Sequence, residues 1–234
     1  MTPYAPIGRP RRLLSYRLVG GLLDLVLAAF ACRRYSIGQL PASGALLVAP
    51  NHVSLVDPVG VAMALVRAGR TPRFVVTSEV MALPVVGAVL RFFDHIPLDR
   101  SRSRDPAVLD PVRRALRHGE CVVVYPEGAI SKDPGYRPAR GQQGLGRLAI
   151  ELGVPVLPVA QWGAQHIVGR GRLAWRSWPP RRAWVTVRGL PLMQPPVGPA
   201  DDLNSRRLVD DVLAHITAEL ERLALVDPPP SRRS

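Results

Sequence analysis

Short apolar runs of strand length alternate with helical patterns along most of this chain, and that alternation constrains the fold more than any other feature. Ala45 to Ala49, Arg73 to Val76, His95 to Leu98, Cys121 to Tyr125, Val154 to Ala160 and Trp184 to Arg188 read as strands. Pro58 to Ala68, Leu83 to Phe93, Pro106 to Arg117, Gly144 to Leu152 and Leu203 to Leu223 read as helices. The order predicts an α/β fold: a single domain with a mixed, mostly parallel sheet flanked by helices, preceded by an amphipathic N-terminal membrane-associating helix. A chain of 234 residues can bury such a core without disulfides or a structural metal. We see no internal repeat, and Pro195 to Pro199 reads as a linker into the last helix.

Charge narrows the partners without choosing one. The formal net charge is +13, almost all of it arginine, because Lys132 is the only lysine. Such a surface attracts anions, whether nucleic acid, an acidic membrane face or phosphorylated substrates. The two cysteines, Cys32 and Cys121, show neither metal-ligand spacing nor a disulfide framework, so a reducing cytoplasm is the economical setting.

At the N-terminus Arg9, Arg11, Arg12 and Arg17 precede an apolar run from Leu18 to Cys32. That run falls short of the ~20 residues that cross a bilayer as a helix. Asp24 in its middle and Arg33-Arg34 after it argue against a secretory signal. Wound as a helix, Arg17, Gly20, Gly21, Asp24, Ala28 and Ala31 form a narrow polar or small stripe. Leu18, Leu22, Leu25, Val26 and Ala29 form a broad apolar face. An in-plane anchor on an anionic membrane has this pattern; so does a helix packed on the domain's own core. The expected layout is a basic, amphipathic membrane anchor over 1–33, a main domain over 34–225 and a disordered Pro/Arg tail over 226–234.

His52 and Asp57 lie five positions apart, which on a continuous helix turns them about 140° away from each other. They meet only across a junction, and Asp57-Pro58 supplies one, with Asp as a favoured helix cap and Pro as a favoured first residue. The carboxylate then orients the imidazole and makes it a general base. The bland alternative is a helix cap beside an unrelated loop histidine. Further on, the apolar strand from Cys121 runs into Tyr125-Pro126-Glu127-Gly128, which sets a carboxylate and a glycine at a strand's carboxyl end, where α/β folds bind ligands. Between them, Asp99-Arg100-Ser101-Arg102-Ser103-Arg104 gathers guanidinium groups suited to phosphate.

Taken in order, His52-x4-Asp57, Ile96-Pro97-Leu98-Asp99-Arg100, Tyr125-Pro126-Glu127-Gly128 and Val154-Pro155-Val156-Leu157-Pro158-Val159 resemble the four blocks of the glycerolipid acyltransferases, specifically the 1-acylglycerol-3-phosphate (lysophosphatidate) acyltransferase family. The resemblance covers about Arg34 to about Pro191. It implies acyl transfer from acyl-CoA or acyl carrier protein to a lysophospholipid hydroxyl, with no cofactor, no metal and no covalent acyl-enzyme. It implies that His52 deprotonates the acceptor and Asp57 orients His52. By the same resemblance Arg100 and the Glu127-Gly128 turn bind the glycerol phosphate, Ser131 bonds the acceptor, and the Val154 strand shapes the acyl side. The implied setting is the cytoplasmic face of the cell membrane, peripheral or monotopic.

Three departures leave the acceptor open. Thr77, Ile130 and Gln142 stand where many members of the family carry cations, and Arg73, Arg102, Arg104, Lys132 or Arg140 are the candidates to replace them. Two readings of other classes compete. A nucleic-acid-binding protein accounts for the charge but lacks a recognised motif. A catalytically silent, basic membrane-surface protein accounts for anchor and charge but has no use for His52, Asp57 and Glu127 together. A metal hydrolase fits worse, since His95, His118, His166 and His215 are scattered.

Overall fold

Burial of the central strands on both faces organises the molecule. The computed structural model describes residues 14–102, 105–169, 172–173 and 183–226. The basic residues 1–13, Arg104 and the tail after 226 lie outside the described residues. The strands are β1 (Ala31–Ser36), β2 (Leu46–Pro50), β3 (Pro72–Thr77), β4 (Ile96–Leu98), β5 (Cys121–Val123), β6 (Val156–Trp162), β7 (Val168–Gly169), β8 (Arg172–Leu173) and β9 (Ala183–Gly189). Seven of them form one sheet in the order β1-β9-β6-β2-β5-β3-β4, and β7 and β8 make a separate hairpin. β6, β2, β5, β3 and β4 run parallel to one another. β9 lies antiparallel to β6 and β1 parallel to β9, so the sheet is mixed and mostly parallel.

The helices are α1 (Gly21–Phe30), α2 (Asp57–Arg67), α3 (Ser78–Met81), α4 (Pro84–Phe92), α5 (Asp110–Arg117), α6 (Gly144–Leu152) and α7 (Asp202–Val226). Along β2, Leu47 and Ala49 join a core with α5, α6 and α7, while Leu46 and Val48 join one with α2 on the other face. A strand with period-two alternation between two apolar layers is apolar at every position, which explains the unbroken runs in the sequence. The helix expected from Pro106 to Arg117 is divided: a 3-10 turn covers Pro106–Leu109 and α5 begins at Asp110. Pro111 lacks the N–H that a continuous helix would use there.

The N-terminal segment departs from expectation. Its helix ends at Phe30, and Ala31–Ser36 is an edge strand paired with β9, so the expected boundary after residue 33 falls inside the sheet. Arg33 and Arg34, which argue against a secretory signal, are used locally. Arg33 pairs with Asp24 at 2.6 Å, and Arg34 lies 3.8 Å above the Trp184 ring. Asp24 is buried, accepts from the Tyr35 hydroxyl at 2.8 Å and pairs with Arg67 of α2 at 3.1 Å. A Cβ on Gly20 would sit 2.8 Å from the Met63 sulfur, so this face of the segment packs closely on α2. Leu18, Leu22 and Leu25 point the other way and are 66, 62 and 66% exposed. Polar and small positions thus serve the protein contact, and the leucines are left outside. No helix among the described residues is long and apolar enough to cross a membrane.

Candidate active site

The carboxyl ends of β2, β3, β4 and β5 lie along one edge of the sheet, and the loops that leave them carry the chemistry. After Pro50 the chain turns through residues 51–56 before α2 starts at Asp57. Asp57 is the first residue of that helix, not its cap: Val56 holds the cap position and Pro58 follows within the first turn. Its carboxylate points backwards onto the loop. Oδ2 accepts from His52 Nδ1 at 2.9 Å and from the backbone N–H groups of Val53 and Ser54 at 2.6 and 2.7 Å. These bonds wrap the loop around one oxygen and bring together two side chains that a helix would hold apart.

The pair is asymmetric in its exposure. The Asp57 side chain is 0% exposed and that of His52 17%, so the acid is interior and the imidazole lies at the opening. The His52 ring rests on the Tyr125 ring, with centroids 4.3 Å apart. Nδ1 is engaged by the carboxylate; among the described residues nothing bonds Nε2, the nitrogen left to meet a substrate. Burial pushes the Asp57 carboxyl above its ordinary value, partly offset by His52 and the two N–H donors. Its Oδ1 is buried without a hydrogen-bond partner among the described residues.

That asymmetry yields a stability prediction. A carboxyl raised in the folded state contributes stability that is fully present below its unfolded value, near 3.8, and lost as pH rises through its folded value. Asp57→Asn removes this loss. The melting temperature of the wild type is expected to fall relative to that of the variant as pH rises from about 4, as thermal melts across pH 4 to 8 would show.

Glu127 is tied to the same loop. It is buried, and its two oxygens accept backbone N–H groups, Oε1 from His52 at 2.9 Å and Oε2 from Ala139 at 2.8 Å. Burial raises this carboxyl too, with the Ala139 and His52 N–H groups pulling it back. The geometry therefore gives Glu127 a positioning part, where the sequence suggested contact with glycerol phosphate. Ser131 differs in the same sense. Its N–H donates to the His52 carbonyl at 2.8 Å. Its hydroxyl donates to Arg137 O at 2.6 Å and accepts from Asp133 N, so it braces the loop and is not directed at an acceptor.

Gly128 is needed for its conformation and its bareness. Its φ is +68°, and a Cβ there would stand 3.3 Å from the Arg100 guanidinium. The turn after β5 and the arginine after β4 are thereby brought side by side, with Arg100 exposed. The substitute cations do not all follow. Arg73, at the start of β3, is buried between Asp94 and Glu120 at 3.3 and 2.8 Å, near the amino end of the sheet and away from the site. Arg102 pairs with Asp105 at 2.5 Å. Lys132 and Arg140 are exposed beside Ser131 and Ala139, on the loop that carries the Glu127 and His52 contacts.

Asn51 and Gln161 were not singled out in the sequence. Asn51 Oδ1 accepts from Gln161 N at 2.7 Å, its Nδ2 donates to Gln161 O at 3.1 Å, and Gln161 Nε2 donates to Asn51 O at 2.8 Å. Both are buried, and together they fix the residue before His52 to β6. The signal was a polar residue at the carboxyl end of each of two apolar strands, which only the pairing of β2 with β6 makes meaningful.

The arrangement presents an imidazole held at Nδ1 by an internal carboxylate, and an exposed guanidinium beside the Gly128 turn. Comparison with known proteins identifies a family. A family model described as acyltransferase matches residues 31–162. A chloroplastic 1-acyl-sn-glycerol-3-phosphate acyltransferase of Brassica napus is 29% identical over 124 residues, which is 52% of this chain and 34% of that protein. Its counterpart from Arabidopsis thaliana is 28% identical over 124 residues, 52% of this chain and 33% of that protein. The match thus spans about a third of the length of either plant protein. In fold, the crystal structure of the 1-acyl-sn-glycerophosphate acyltransferase PlsC of Thermotoga maritima aligns with a TM-score of 0.69 at 21% identity, over 97% of this chain and 86% of that one.

Proposed function

This chain belongs to the acyltransferase family, and we propose that it moves a fatty acyl group from acyl-CoA or acyl carrier protein to the free hydroxyl of a lysophospholipid, 1-acylglycerol-3-phosphate, to give phosphatidate. The observation that carries this reading is the 2.9 Å bond between His52 Nδ1 and Asp57 Oδ2, which leaves Nε2 at the opening. Nε2 takes the proton of the acceptor hydroxyl as that oxygen attacks the thioester carbonyl. Asp57 holds the ring and offsets the charge of the imidazolium. The tetrahedral intermediate collapses with loss of the C–S bond, and the imidazolium returns its proton to the departing thiolate. Direct attack by the acceptor accounts for a site with no Gly-x-Ser-x-Gly elbow.

Arg100, exposed beside Gly128, is assigned to the acceptor's phosphate, which a guanidinium grips with two parallel bonds. Arg100→Ala is expected to raise the KM for the phosphate-bearing acceptor about tenfold to a hundredfold, from the ~1.5–3 kcal/mol of bonds to a charged group, with a smaller change in kcat. Acceptor titrations at saturating donor check this. Thr77, Ile130 and Gln142, together with the engagement of Arg73 elsewhere, favour a second reading in which the acceptor is another lysolipid or polar lipid. The test is release of free thiol from acyl-CoA, or from acyl carrier protein, against a panel of lysophospholipids that includes 1-acylglycerol-3-phosphate. Release with none of them sinks the proposal; release with one names the acceptor. We place this work at the cytoplasmic face of an anionic membrane, reached through the exposed leucines of the N-terminal segment, with no part for nucleic acid.

A further inference from the structure

A second apolar surface stands beside the site. From Val80 to Leu90 the chain holds eleven consecutive residues without a polar or charged side chain, Val-Met-Ala-Leu-Pro-Val-Val-Gly-Ala-Val-Leu. In most α/β folds such a run is buried. Here it makes up much of α3 and α4 and sits largely in solvent: Leu83, Val85, Val86 and Val89, with Phe92 just beyond the run, are 48, 76, 47, 42 and 59% exposed. The two helices are fastened to each other. Arg91 donates to the Met81 carbonyl at 2.6 Å, and a Cβ on Gly87 would stand 2.1 Å from that same oxygen. The result is a stiff helical corner projecting from the edge of the sheet, with its apolar side chains outward.

We propose that this corner is a wedge that enters the apolar layer of an anionic bilayer and, with the leucines of the N-terminal segment, sets the site against the membrane. The nine residues of α4 give a rod of about 13 Å at ~1.5 Å per residue, enough to enter one leaflet and too short to cross. Charge favours a bilayer over a second copy of the chain. Arg91 lies on α4, and Arg100 follows β4, whose Leu98 pairs with Thr77 just before α3. A two-fold contact through the wedge would set these guanidinium groups against their own copies, whereas anionic headgroups complement them. The two apolar surfaces also adjoin. Tyr16, two residues before the exposed Leu18, stacks on Phe93 at 4.3 Å, next to the exposed Phe92.

The inference deepens the membrane part of the proposed function, and it adds a consequence. The wedge leaves the sheet at the carboxyl end of β3, and Arg100 stands at the carboxyl end of the neighbouring β4. A bilayer that holds the wedge therefore lies next to the assigned phosphate contact, so an acceptor can reach the site without leaving the interface.

Insertion is tested apart from activity. In a Cys32→Ser background, Cys121 being buried, Val85→Cys carries an environment-sensitive nitrobenzoxadiazole label. Asp210→Cys, exposed on α7, carries the same label as a control. With vesicles of phosphatidylglycerol and phosphatidylethanolamine, the label at 85 is expected to shift to the blue and to be quenched by spin-labelled acyl chains, while that at 210 does neither. Val85→Asp with Val89→Asp is expected to weaken vesicle binding at least tenfold with an unchanged melting temperature, because both positions are on the surface. A label at 85 that stays unchanged on vesicle-bound protein overturns the wedge. So does a blue shift that follows protein concentration in the absence of lipid, which would mean a second copy covers the surface. Insertion without thiol release from any acceptor would instead leave the wedge standing and remove the proposed reaction.

Discussion

His52→Ala is expected to lower turnover by about 10²–10⁴-fold, the usual contribution of a positioned general base, in a protein that still folds. The imidazole is at the opening of the site and not in the core, so its loss creates no sealed cavity. Asp57 keeps its two backbone donors, Val53 and Ser54, after the ring is gone. The fall belongs in kcat, since the proton is taken as the acceptor attacks, and the acceptor's KM is expected to change far less. Steady-state rates of thiol release, with circular dichroism and a melt to verify folding, give the result. Near-normal turnover in the folded variant would sink the mechanism.

Glu127→Gln is the second large effect, and it separates two roles for one residue. In the structure both oxygens accept backbone N–H groups, from His52 and from Ala139. An amide offers one oxygen and one NH2, so in either orientation a donor faces a donor. Leaving a buried donor unsatisfied costs ~1–3 kcal/mol. If that strain moves the loop bearing His52, turnover is expected to fall about tenfold to a hundredfold, at ~1.4 kcal/mol per factor of ten. For a chain of this length the melting temperature is expected to drop by about 2–4 °C per kcal/mol lost. The acceptor's KM is expected to stay near the wild-type value, because neither oxygen is turned towards the substrate. A raised KM with intact kcat would return Glu127 to the phosphate-binding part that sequence order suggested.

Both predictions rest on a site whose chemistry was more legible than its geometry. His52 and Asp57 were readable as a dyad because their spacing is incompatible with a helix and compatible with a strand-to-helix junction. The family blocks supported that reading by their order along the chain. That the same Asp57 oxygen also takes the Val53 and Ser54 N–H groups was not readable. A capping Asp would face forward into α2, whereas this one faces back to Val53 and Ser54. The backbone bonds of Glu127 and Ser131 were not readable from their positions. A carboxylate and a hydroxyl in a turn look alike in sequence whether they bond a ligand or the neighbouring backbone.

The N-terminal segment gives the same lesson through packing. Its amphipathic pattern is plain in the sequence, but period alone does not say which face meets protein. Asp24 would be costly to bury unpaired, and it is buried because Arg33, Arg67 and Tyr35 converge on it from β1 and α2. The sequence pattern predicts a helix from Leu83 to Phe93, and the apolar Val80 to Leu90 run that overlaps it has the composition of a core element. Only its place at the edge of the sheet shows that it is left exposed.

The sequence by itself determined the α/β class, the central strands and most helices, and the pairing of His52 with Asp57 across a strand-to-helix junction. Period, composition and local junctions carry that information, and each is a property of a short stretch of chain. Tertiary structure alone decided which groups spend their hydrogen bonds on the fold and which remain for a substrate. It joined Asn51 to Gln161, Glu127 to the His52 loop and Arg100 to Gly128, and it put one apolar run outside. The physical reason is that a hydrogen bond or a buried surface depends on which distant segments the sheet order makes neighbours, and no local pattern contains that order.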